Sequence, residues 1–253
     1  MVSSRSPRRA CGRAVRDVAI VTGPMDMRKS AGFERFSPVQ RVIEVGSATL
    51  TVWRPPDMEA LIDLAAFDAD ERIPYWADVW ESAIVLAEEL AAVDGTGLSL
   101  IELGCGLGLP ALTAARQGFA VTATDYEEPA LEGVRYNAER NGLTGRVSTR
   151  LVDWRSPPDD LGSFDRVVAA DVLYEQHHAA ALAAVIDGVL APHGVALVAD
   201  PGRLKAAAFP PACRDRGLVV DTKPARRPHG ATGGPEIVLY VVTRPTASRA
   251  PRP

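Results

Sequence analysis

Apolar positions between Leu98 and Val242 alternate between two spacings. Short apolar runs of strand length are separated by segments in which apolar residues recur every three to four positions. The runs predict strands at 98–103, 119–124, 147–151, 164–170, 195–199, 219–220 and 237–242. The segments between them predict helices at 109–117, 129–140, 178–190 and 204–216. Repeated strand–helix units with short connections are typical of a mostly parallel sheet with helices on both faces.

Proline and glycine predict where these elements end. Pro192 and Gly194 are expected to end the helix that precedes them, and Pro210-Pro211 is expected to interrupt the last helix. The segment from Lys223 to Pro235 is rich in proline, arginine and glycine, so we expect a long loop between the last two strands.

The segment before Leu98 has a different pattern. Two strand-like runs, 41–45 and 48–53, flank Gly46-Ser47, which indicates a β-hairpin. Asp57 is placed to cap a short helix through Ala66. An aromatic segment at 73–80 then precedes a predicted helix at 81–92.

Both ends of the chain lack a periodic apolar pattern, and we expect them to be unstructured. The start is arginine-rich without the apolar segment of a secretory signal, so it is interpreted as a disordered extension or as a start codon assigned too early, with Met25 or Met27 as the true start. A transit peptide is the alternative. The expected organisation is a tail at 1–37, an N-terminal extension at 38–75, a main domain at 76–244 and a tail at 245–253.

Composition narrows the class of protein. Apolar residues make up 47% of the chain and charged residues 24%, as in ordinary globular proteins. The net charge of -4 argues against a nucleic-acid partner. No apolar run approaches the length of about 18 residues that spans a membrane. The cysteines Cys11, Cys105 and Cys213 lie too far apart for a metal motif, so we predict no metal site and a reducing, cytoplasmic setting.

A glycine-rich loop follows the first strand of the repeat. Glu102 ends the strand, and Gly104, Gly106 and Gly108 alternate with other residues before a helix begins. Glycines allow a tight turn and the close approach of a ligand. A dinucleotide fingerprint would place its third glycine where Leu109 stands, so NAD and FAD are disfavoured.

Acidic residues end four successive strands, namely Glu102, Asp125, Asp153 and Asp171. Because the carboxyl ends of parallel strands meet at one edge of a sheet, these carboxylates should line one site. An acid at the end of the second strand can accept hydrogen bonds from two ribose hydroxyls. The ordered set predicts a nucleoside-type cofactor site. For each acid alone, helix capping is the plainer alternative.

With these motifs the chain resembles the class I, seven-β-strand methyltransferases, and more closely their protein-lysine branch, methyltransferase family 16. The segments that carry the resemblance are Tyr75–Leu86, Leu103–Leu109 and the Asp-x-x-Tyr motif of Ala170–Tyr174. Ala199–Arg203 and Gly234–Ile237 are similar to the subgroup that methylates the β-subunit of electron transfer flavoprotein. The resemblance implies a Rossmann-like seven-stranded sheet, mostly parallel with an antiparallel last strand, and a small N-terminal hairpin and helix extension. It also implies S-adenosylmethionine as cofactor and a protein lysine as methyl acceptor.

The resemblance also implies roles for individual residues. Cofactor contacts are expected from Trp80, Glu102, Gly104, Cys105, Gly106, Gly108, Asp125, Asp153, Trp154 and Ala170. Within this set, Asp125 should hold the ribose, and Asp153 and Trp154 should hold the adenine. Asp171 and Tyr174 should face the acceptor. The plainer alternatives are a helix cap for Asp171, a packed aromatic for Tyr174 and core burial for Trp80.

Other functions stay open on the sequence alone. A small-molecule N- or O-methyltransferase would keep the same cofactor residues. Enzymes that methylate base amines often carry two prolines where Val172-Leu173 stands, so a nucleic-acid acceptor is disfavoured. A cofactor-binding protein that has lost catalysis is the alternative from another class.

Overall fold

The structure is a computed structural model, and it describes residues 17–18, 32–46, 48–62 and 73–245. In these ranges the strands are β1 (Asp17–Val18), β2 (Val39–Val45), β3 (Ala48–Arg54), β4 (Ser99–Leu103), β5 (Ala120–Asp125), β6 (Val147–Leu151), β7 (Phe164–Ala170), β8 (Leu190–Asp200), β9 (Val219–Arg226) and β10 (Ile237–Thr243). The α-helices are α1 (Glu81–Ala91), α2 (Leu109–Arg116), α3 (Glu128–Arg140), α4 (His178–Val189) and α5 (Phe209–Arg214). Short 3-10 helices lie at Phe33–Phe36, Glu59–Leu61, Tyr75–Ala77 and Leu204–Ala208. None of the helices just named has both the length and the apolar character needed to cross a bilayer.

Seven strands form the central sheet in the order β6-β5-β4-β7-β8-β10-β9. The first five of these run parallel to one another, and β10 is antiparallel to both β8 and β9. The predicted α/β sheet, mostly parallel with an antiparallel last strand, is therefore confirmed. The chain proceeds from β4 outward through β5 and β6, then returns to the other side of β4 at β7. This reversal is the topological switch point, where ligands bind beyond the carboxyl ends of the strands.

Each face of the central sheet carries its own apolar core. Helices α1, α2 and α3 cover one face, where Leu86 and Leu112 are fully buried. Helices α4 and α5 cover the other, where Ile186 and Phe209 are fully buried. Full burial of a side chain of this size stabilises the fold by about 1.5–3 kcal/mol. Packing on both faces holds the strand ends, and therefore the residues that follow them, in a defined arrangement.

The predicted hairpin of β2 and β3 is present and packs on α3. Asn137 accepts a hydrogen bond from the Trp53 N–H (2.7 Å) and donates one to the Trp53 carbonyl (3.2 Å). One helical turn later, Asn141 makes the same pair of bonds to Thr51 (3.2 and 2.8 Å). Two side-chain amides thus pair with backbone N–H and carbonyl groups at the edge of β3, where a further strand would otherwise pair. Asp57 accepts hydrogen bonds from the N–H groups of Glu59 and Ala60, as a cap. The helix is predicted through Ala66, and its residues 63–66 lie outside the described residues.

The expectation of an unstructured tail through residue 37 is wrong for the part that the structure describes. Asp17–Val18 pairs with β2. Phe33 is 1% exposed and packs against Phe36, Trp76 and Tyr136 at centroid distances of 5.2–6.5 Å. A single aromatic residue that enters the core produces no periodic pattern, so the sequence contained no signal for it. Residues 1–16, 19–31 and 246–253 lie outside the described residues.

Three predicted boundaries are also wrong. Strand β8 begins at Leu190 and runs through Pro192, because a register shift opposite β7 removes the need for a proline N–H there. Pro210 and Pro211 lie in the first turn of α5, where helical N–H groups have no partner, so they begin that helix instead of interrupting it. Strand β9 extends to Arg226, which pairs with Ile237 of β10 and is ion-paired with Glu88 and Glu89 of α1, so the predicted 223–235 loop is shorter.

Candidate functional site

A cleft of ≈ 1350 Å³, its open mouth included, lies at the carboxyl ends of β4, β5, β6 and β7. Every residue predicted for the site lines it, namely Trp80, Glu102, Gly104, Cys105, Gly106, Gly108, Asp125, Asp153, Trp154, Ala170, Asp171 and Tyr174. The parallel strands bring these residues together because each strand ends at the same edge of the sheet.

The glycine loop adopts a conformation that other residues avoid. Gly104, Gly106 and Gly108 have φ values of 71, 50 and 79°. The N–H groups of Gly104 and Cys105 both donate to the Thr124 carbonyl at 2.9 Å, which fastens the loop to β5. A Cβ at Gly104 would lie 2.9 Å from Val172 Cγ1. Glycine is therefore needed for backbone conformation and for close packing at the floor of the cleft.

Glu102 and Asp125 are the buried acids of the cleft. Glu102 accepts a hydrogen bond from the Ala111 N–H (2.8 Å) in the first turn of α2, and burial raises its pKa well above the usual value. Asp125 accepts hydrogen bonds from the N–H groups of Gly106 (2.9 Å) and Glu127 (3.0 Å). Burial raises the pKa of Asp125 to about 6, against the lowering effect of those N–H groups. Asp125 thus ionises just below neutral pH.

Asp153 and Trp154 form another wall of the cleft. The Asp153 carboxylate binds the Arg155 guanidinium in a fork, with Nη2–Oδ2 at 2.7 Å and both Nε–O distances at 3.0 Å. The Trp154 ring lies edge to face with His178 at 5.8 Å. Arg155 lines the cleft as well, and the sequence analysis did not single it out. Its position two residues after Asp153 is a weak signal that is common on protein surfaces.

Asp171 has the most unusual backbone in the cleft. Its φ of 62° lies in the left-handed region, which is uncommon for a residue with a Cβ. Its side chain is 7% exposed and is ion-paired with Arg203 Nη2. Arg203 is also bound to the fully buried Asp200, through its backbone N–H at 2.8 Å and through Nη1 at 3.3 Å. The segment of Asp200 and Arg203 carries part of the family resemblance, but no sequence motif assigns a role to either residue.

Tyr174 lies in an aromatic cluster at the mouth of the cleft. Its ring is 5.2 Å from Tyr75 and 4.7 Å from His178. Burial, together with a hydrogen bond to Tyr126, raises the pKa of Tyr174 far above its usual value. The phenol is therefore neutral at physiological pH and can donate or accept a hydrogen bond. Trp80 extends the cluster, since its Nε1 donates to the Tyr75 carbonyl (2.9 Å).

Cys105 is buried, and burial raises the pKa of its thiol well above the usual value. A thiol in this state is a poor nucleophile, so Cys105 is suited to lining the loop and not to covalent catalysis. A group of three possible metal ligands, Glu175, His177 and His178, stands at the mouth with ligand atoms within 4.8 Å of one another. No metal site is expected from the sequence. The His178 Nδ1 lies 2.8 Å from the Val172 carbonyl, so this ring nitrogen has a partner within the protein.

Curated proteins similar to this chain include protein-lysine methyltransferases. The protein-lysine N-methyltransferase rrg1 of Schizosaccharomyces pombe is 32% identical over 139 residues, which are 49% of this chain and 46% of that protein. The protein N-lysine methyltransferase METTL21A of Danio rerio is 38% identical over 111 residues, 41% of this chain and 50% of that protein. The chain therefore spans about half the length of the curated relatives it matches.

A solved structure shares the fold. The glycopeptide N-methyltransferase MtfA in complex with S-adenosylmethionine superposes with a TM-score of 0.54 at 16% identity, over 65% of this chain and 95% of that one. At this identity the likeness concerns the fold alone.

The family can be assigned from the segment that builds the cleft. A model described as lysine methyltransferase matches residues 68–208, more than half of the chain. This range begins before the aromatic segment, includes all four strand-end acids and ends beyond Arg203. The chain therefore belongs to the lysine methyltransferase family, as its sequence motifs predicted.

Proposed function

We propose that this protein is a class I methyltransferase that transfers a methyl group from S-adenosylmethionine to the side-chain amine of a lysine in another protein. One observation carries the proposal. A single cleft combines the glycine loop and Asp125 on one side with Asp171 and Tyr174 on the other, in a chain of the lysine methyltransferase family.

The chemistry of the cleft fits the cofactor. The Gly106 N–H donates to one oxygen of Asp125 and the Glu127 N–H to the other, and a carboxylate offers about four acceptor sites, so capacity remains for ribose hydroxyls. The glycine loop has no Cβ at three positions, which permits close approach of the methionine end. The acids of the cleft also suit a ligand that carries sulfonium and ammonium charges.

Further residues would complete the binding site. We propose that Trp154 stacks beside the adenine and that Asp153 accepts a hydrogen bond from its amino group. Glu102 would hold the loop through the Ala111 N–H. Trp80 and Ala170 would pack against the cofactor. When bound, S-adenosylmethionine supplies an electrophilic methyl group on a positively charged sulfur.

On the acceptor side, Asp171 would orient the lysine amine. A lysine amine has an unperturbed pKa of about 10.4 and must lose its proton before it can act as a nucleophile. Burial lowers the amine pKa, whereas a nearby carboxylate raises it. The role of Asp171 is therefore to accept an N–H from the amine and to stabilise the positive charge that develops on nitrogen.

Tyr174 would define the channel for the lysine side chain. Its phenol stays neutral, so its hydroxyl can hydrogen-bond the amine without adding charge, and its ring face can attract the developing cation. The rings of Tyr75, Trp80 and Tyr174 would exclude water around the reacting atoms.

Two further proposals concern the protein substrate and the cellular location. The names of the curated relatives support a protein substrate. The similarity of Ala199–Arg203 and Gly234–Ile237 to one subgroup favours the β-subunit of electron transfer flavoprotein, or a similar protein, as the acceptor. Widely spaced cysteines favour a reducing, cytoplasmic location.

The decisive test is label transfer from tritiated S-adenosylmethionine into a proteome extract. Wild type should label at least one protein band, and mass spectrometry should place the methyl group on a lysine. Asp171→Asn keeps the shape of the side chain and should lose at least about tenfold in rate. Asp221→Asn removes a carboxylate on the exposed side of β9 and serves as the matched control, with no loss expected.

Other outcomes would assign another function. Label that appears only in small molecules would overturn the protein-lysine proposal in favour of a small-molecule methyltransferase, and label in RNA would do so in favour of a nucleic-acid enzyme. Cofactor binding without transfer to any acceptor would indicate a protein that has lost catalysis.

A further inference from the structure

We propose that Arg203 is a positioning residue for methyl transfer, which compensates the charge of Asp171 so that this carboxylate can orient a lysine amine without holding it in the protonated state. This inference rests on the proposed function of the cleft and assigns a task to a residue outside it.

The first step is the placement of Arg203. Its guanidinium is ion-paired with Asp171, yet Arg203 does not belong to the lining of the cleft. Arg203 follows the end of β8 in the chain. The last residues of β8 are also close to Asp171, since the Asp171 N–H donates to the Ala199 carbonyl (2.9 Å). The cation therefore contacts the carboxylate without occupying the space for cofactor or acceptor.

The second step is the anchor that holds Arg203. Asp200 is fully buried and binds Arg203 at two points, the backbone N–H (2.8 Å) and Nη1 (3.3 Å). A guanidinium presents several N–H donors in a rigid fork, so Nη1 can stay on Asp200 while Nη2 contacts Asp171. Lysine could not bridge both carboxylates in this way. The Asp200–Arg203–Asp171 chain thus fixes the direction of the Asp171 carboxylate.

The third step is the balance of charge. A lone carboxylate beside a lysine stabilises the ammonium form, which cannot accept a methyl group. Arg203 offsets this effect because a cation on the other side of Asp171 disfavours a second positive charge nearby. The ion pair joins Arg203 Nη2 to Oδ1 of Asp171, and a carboxylate has about four acceptor sites on its two oxygens, so Asp171 can also accept an N–H from the amine. Orientation and deprotonation, which conflict for a lone carboxylate, become compatible.

Other titratable groups surround this carboxylate and contribute to any pH dependence. Its own loop carries Tyr174, Glu175, His177 and His178, and β8 carries Asp200. The neighbouring strand ends carry Glu102, Asp125 and the Asp153–Arg155 ion pair. Within the described part of the chain, Arg203 is the cation in ion-pair contact with Asp171. Removal of Arg203 therefore leaves Asp171 without this compensating cation, which should raise the pKa of the bound amine.

The test measures the initial rate of label transfer into a proteome extract between pH 6.5 and 10 for wild type, Arg203→Met and Arg203→Lys. Arg203→Met should lose up to about tenfold at pH 7.5 and recover most of the wild-type rate near pH 10, because the pH of its half-maximal rate moves up by about one unit. Arg203→Lys keeps the charge and should show a smaller shift. Arg214→Met removes an exposed arginine of α5 and should leave the profile unchanged.

Two further measurements keep the test decisive. Calorimetric binding of S-adenosylmethionine and the free energy of unfolding show whether Arg203→Met remains folded with an intact cofactor site. If Arg203→Met is folded and binds the cofactor normally, the proposal is overturned by a rate deficit that stays constant from pH 6.5 to 10. It is also overturned if the variant shows no rate deficit at all. If Arg203→Met does not fold, Arg203→Gln, which also removes the charge, is measured under the same criterion. A wild type that labels no protein contradicts the proposed function itself, which is a distinguishable result.

Discussion

Asp171 and Arg203 form an ion pair that connects the loop after β7, in the wall of the cleft, to the buried end of β8. Asp171 adopts a left-handed backbone conformation with φ 62°, and its side chain is almost fully buried. Backbone conformations of this kind cost about 1–3 kcal/mol and persist where surrounding contacts enforce them, often at functional sites. Here those contacts are the Ala199 carbonyl and the Arg203 guanidinium.

Asp125 should give cofactor binding and fold stability opposite responses to pH. Its pKa in the folded protein is about 6, above the ordinary value of 3.8, so the folded state takes up a proton before the unfolded state does. Its contribution to the free energy of unfolding therefore increases as pH falls through 6 and is lost as pH rises. Ribose hydroxyls need the ionised carboxylate, so affinity for S-adenosylmethionine should decrease over the same range.

Calorimetric titration between pH 5.5 and 7.5, paired with thermal unfolding, checks this prediction. Asp125→Asn should bind at least tenfold more weakly at pH 7.5, about 1.4 kcal/mol, and should show neither pH trend. A wild-type affinity that is constant over this range would contradict the assignment of Asp125 to the cofactor.

Gly104→Ala should damage the fold and the cofactor site together. The new Cβ would lie 2.9 Å from Val172, and the residue would keep a φ of 71°. Gly97→Ala is the matched control, because its φ is 78° but nothing lies within 4 Å of the added Cβ. Denaturant unfolding should show a loss of about 1 kcal/mol for the control from backbone strain. The Gly104 variant should lose about 1–3 kcal/mol more from crowding. Equal losses would show that packing against Val172 is unimportant.

Tyr174 offers a hydroxyl and a ring whose contributions can be separated. Tyr174→Phe keeps the ring contacts with Tyr75 and His178 and should retain the rate of methyl transfer within about tenfold. Tyr174→Ala removes the channel wall and should reduce the rate by at least a further factor of about ten. Single-turnover label transfer measures the rates of both variants. If the alanine variant is as active as the phenylalanine variant, Tyr174 is only a packed aromatic.

Asn137 should connect the N-terminal hairpin to the cofactor loop. Its fully buried amide bonds Trp53 and also donates to the Leu107 carbonyl (3.3 Å). Asn137→Ala leaves these buried groups unpaired, so unfolding experiments should show a loss of about 2–3 kcal/mol, together with weaker cofactor binding. Asn141→Ala breaks only contacts to Thr51 and to its own helix at a half-buried position. It should lose about 1 kcal/mol and keep its affinity, and an equal loss of affinity would exclude a specific effect on the loop.

Much of the fold and the candidate site could be predicted from the sequence, because both depend on local patterns. Apolar periodicity marked the strands and helices of the central sheet, and the glycines marked the loop between β4 and α2. Each strand-end acid directly follows an apolar run. Since parallel strands end at one edge, Glu102, Asp125, Asp153 and Asp171 had to lie near one another once the sheet formed.

Tertiary structure decided what depends on contacts between distant segments. The burial of Phe33, the pairing of β9 with α1 through Arg226 and the amide bridges of Asn137 have no periodic signature. The same holds for Arg203, which stands 32 positions after Asp171 in the chain and reaches it only because β7 and β8 are neighbours in the sheet. Local sequence determines which elements form and which side chains end them. The partner of each side chain, and therefore its charge state and direction, is set by packing across the sheet.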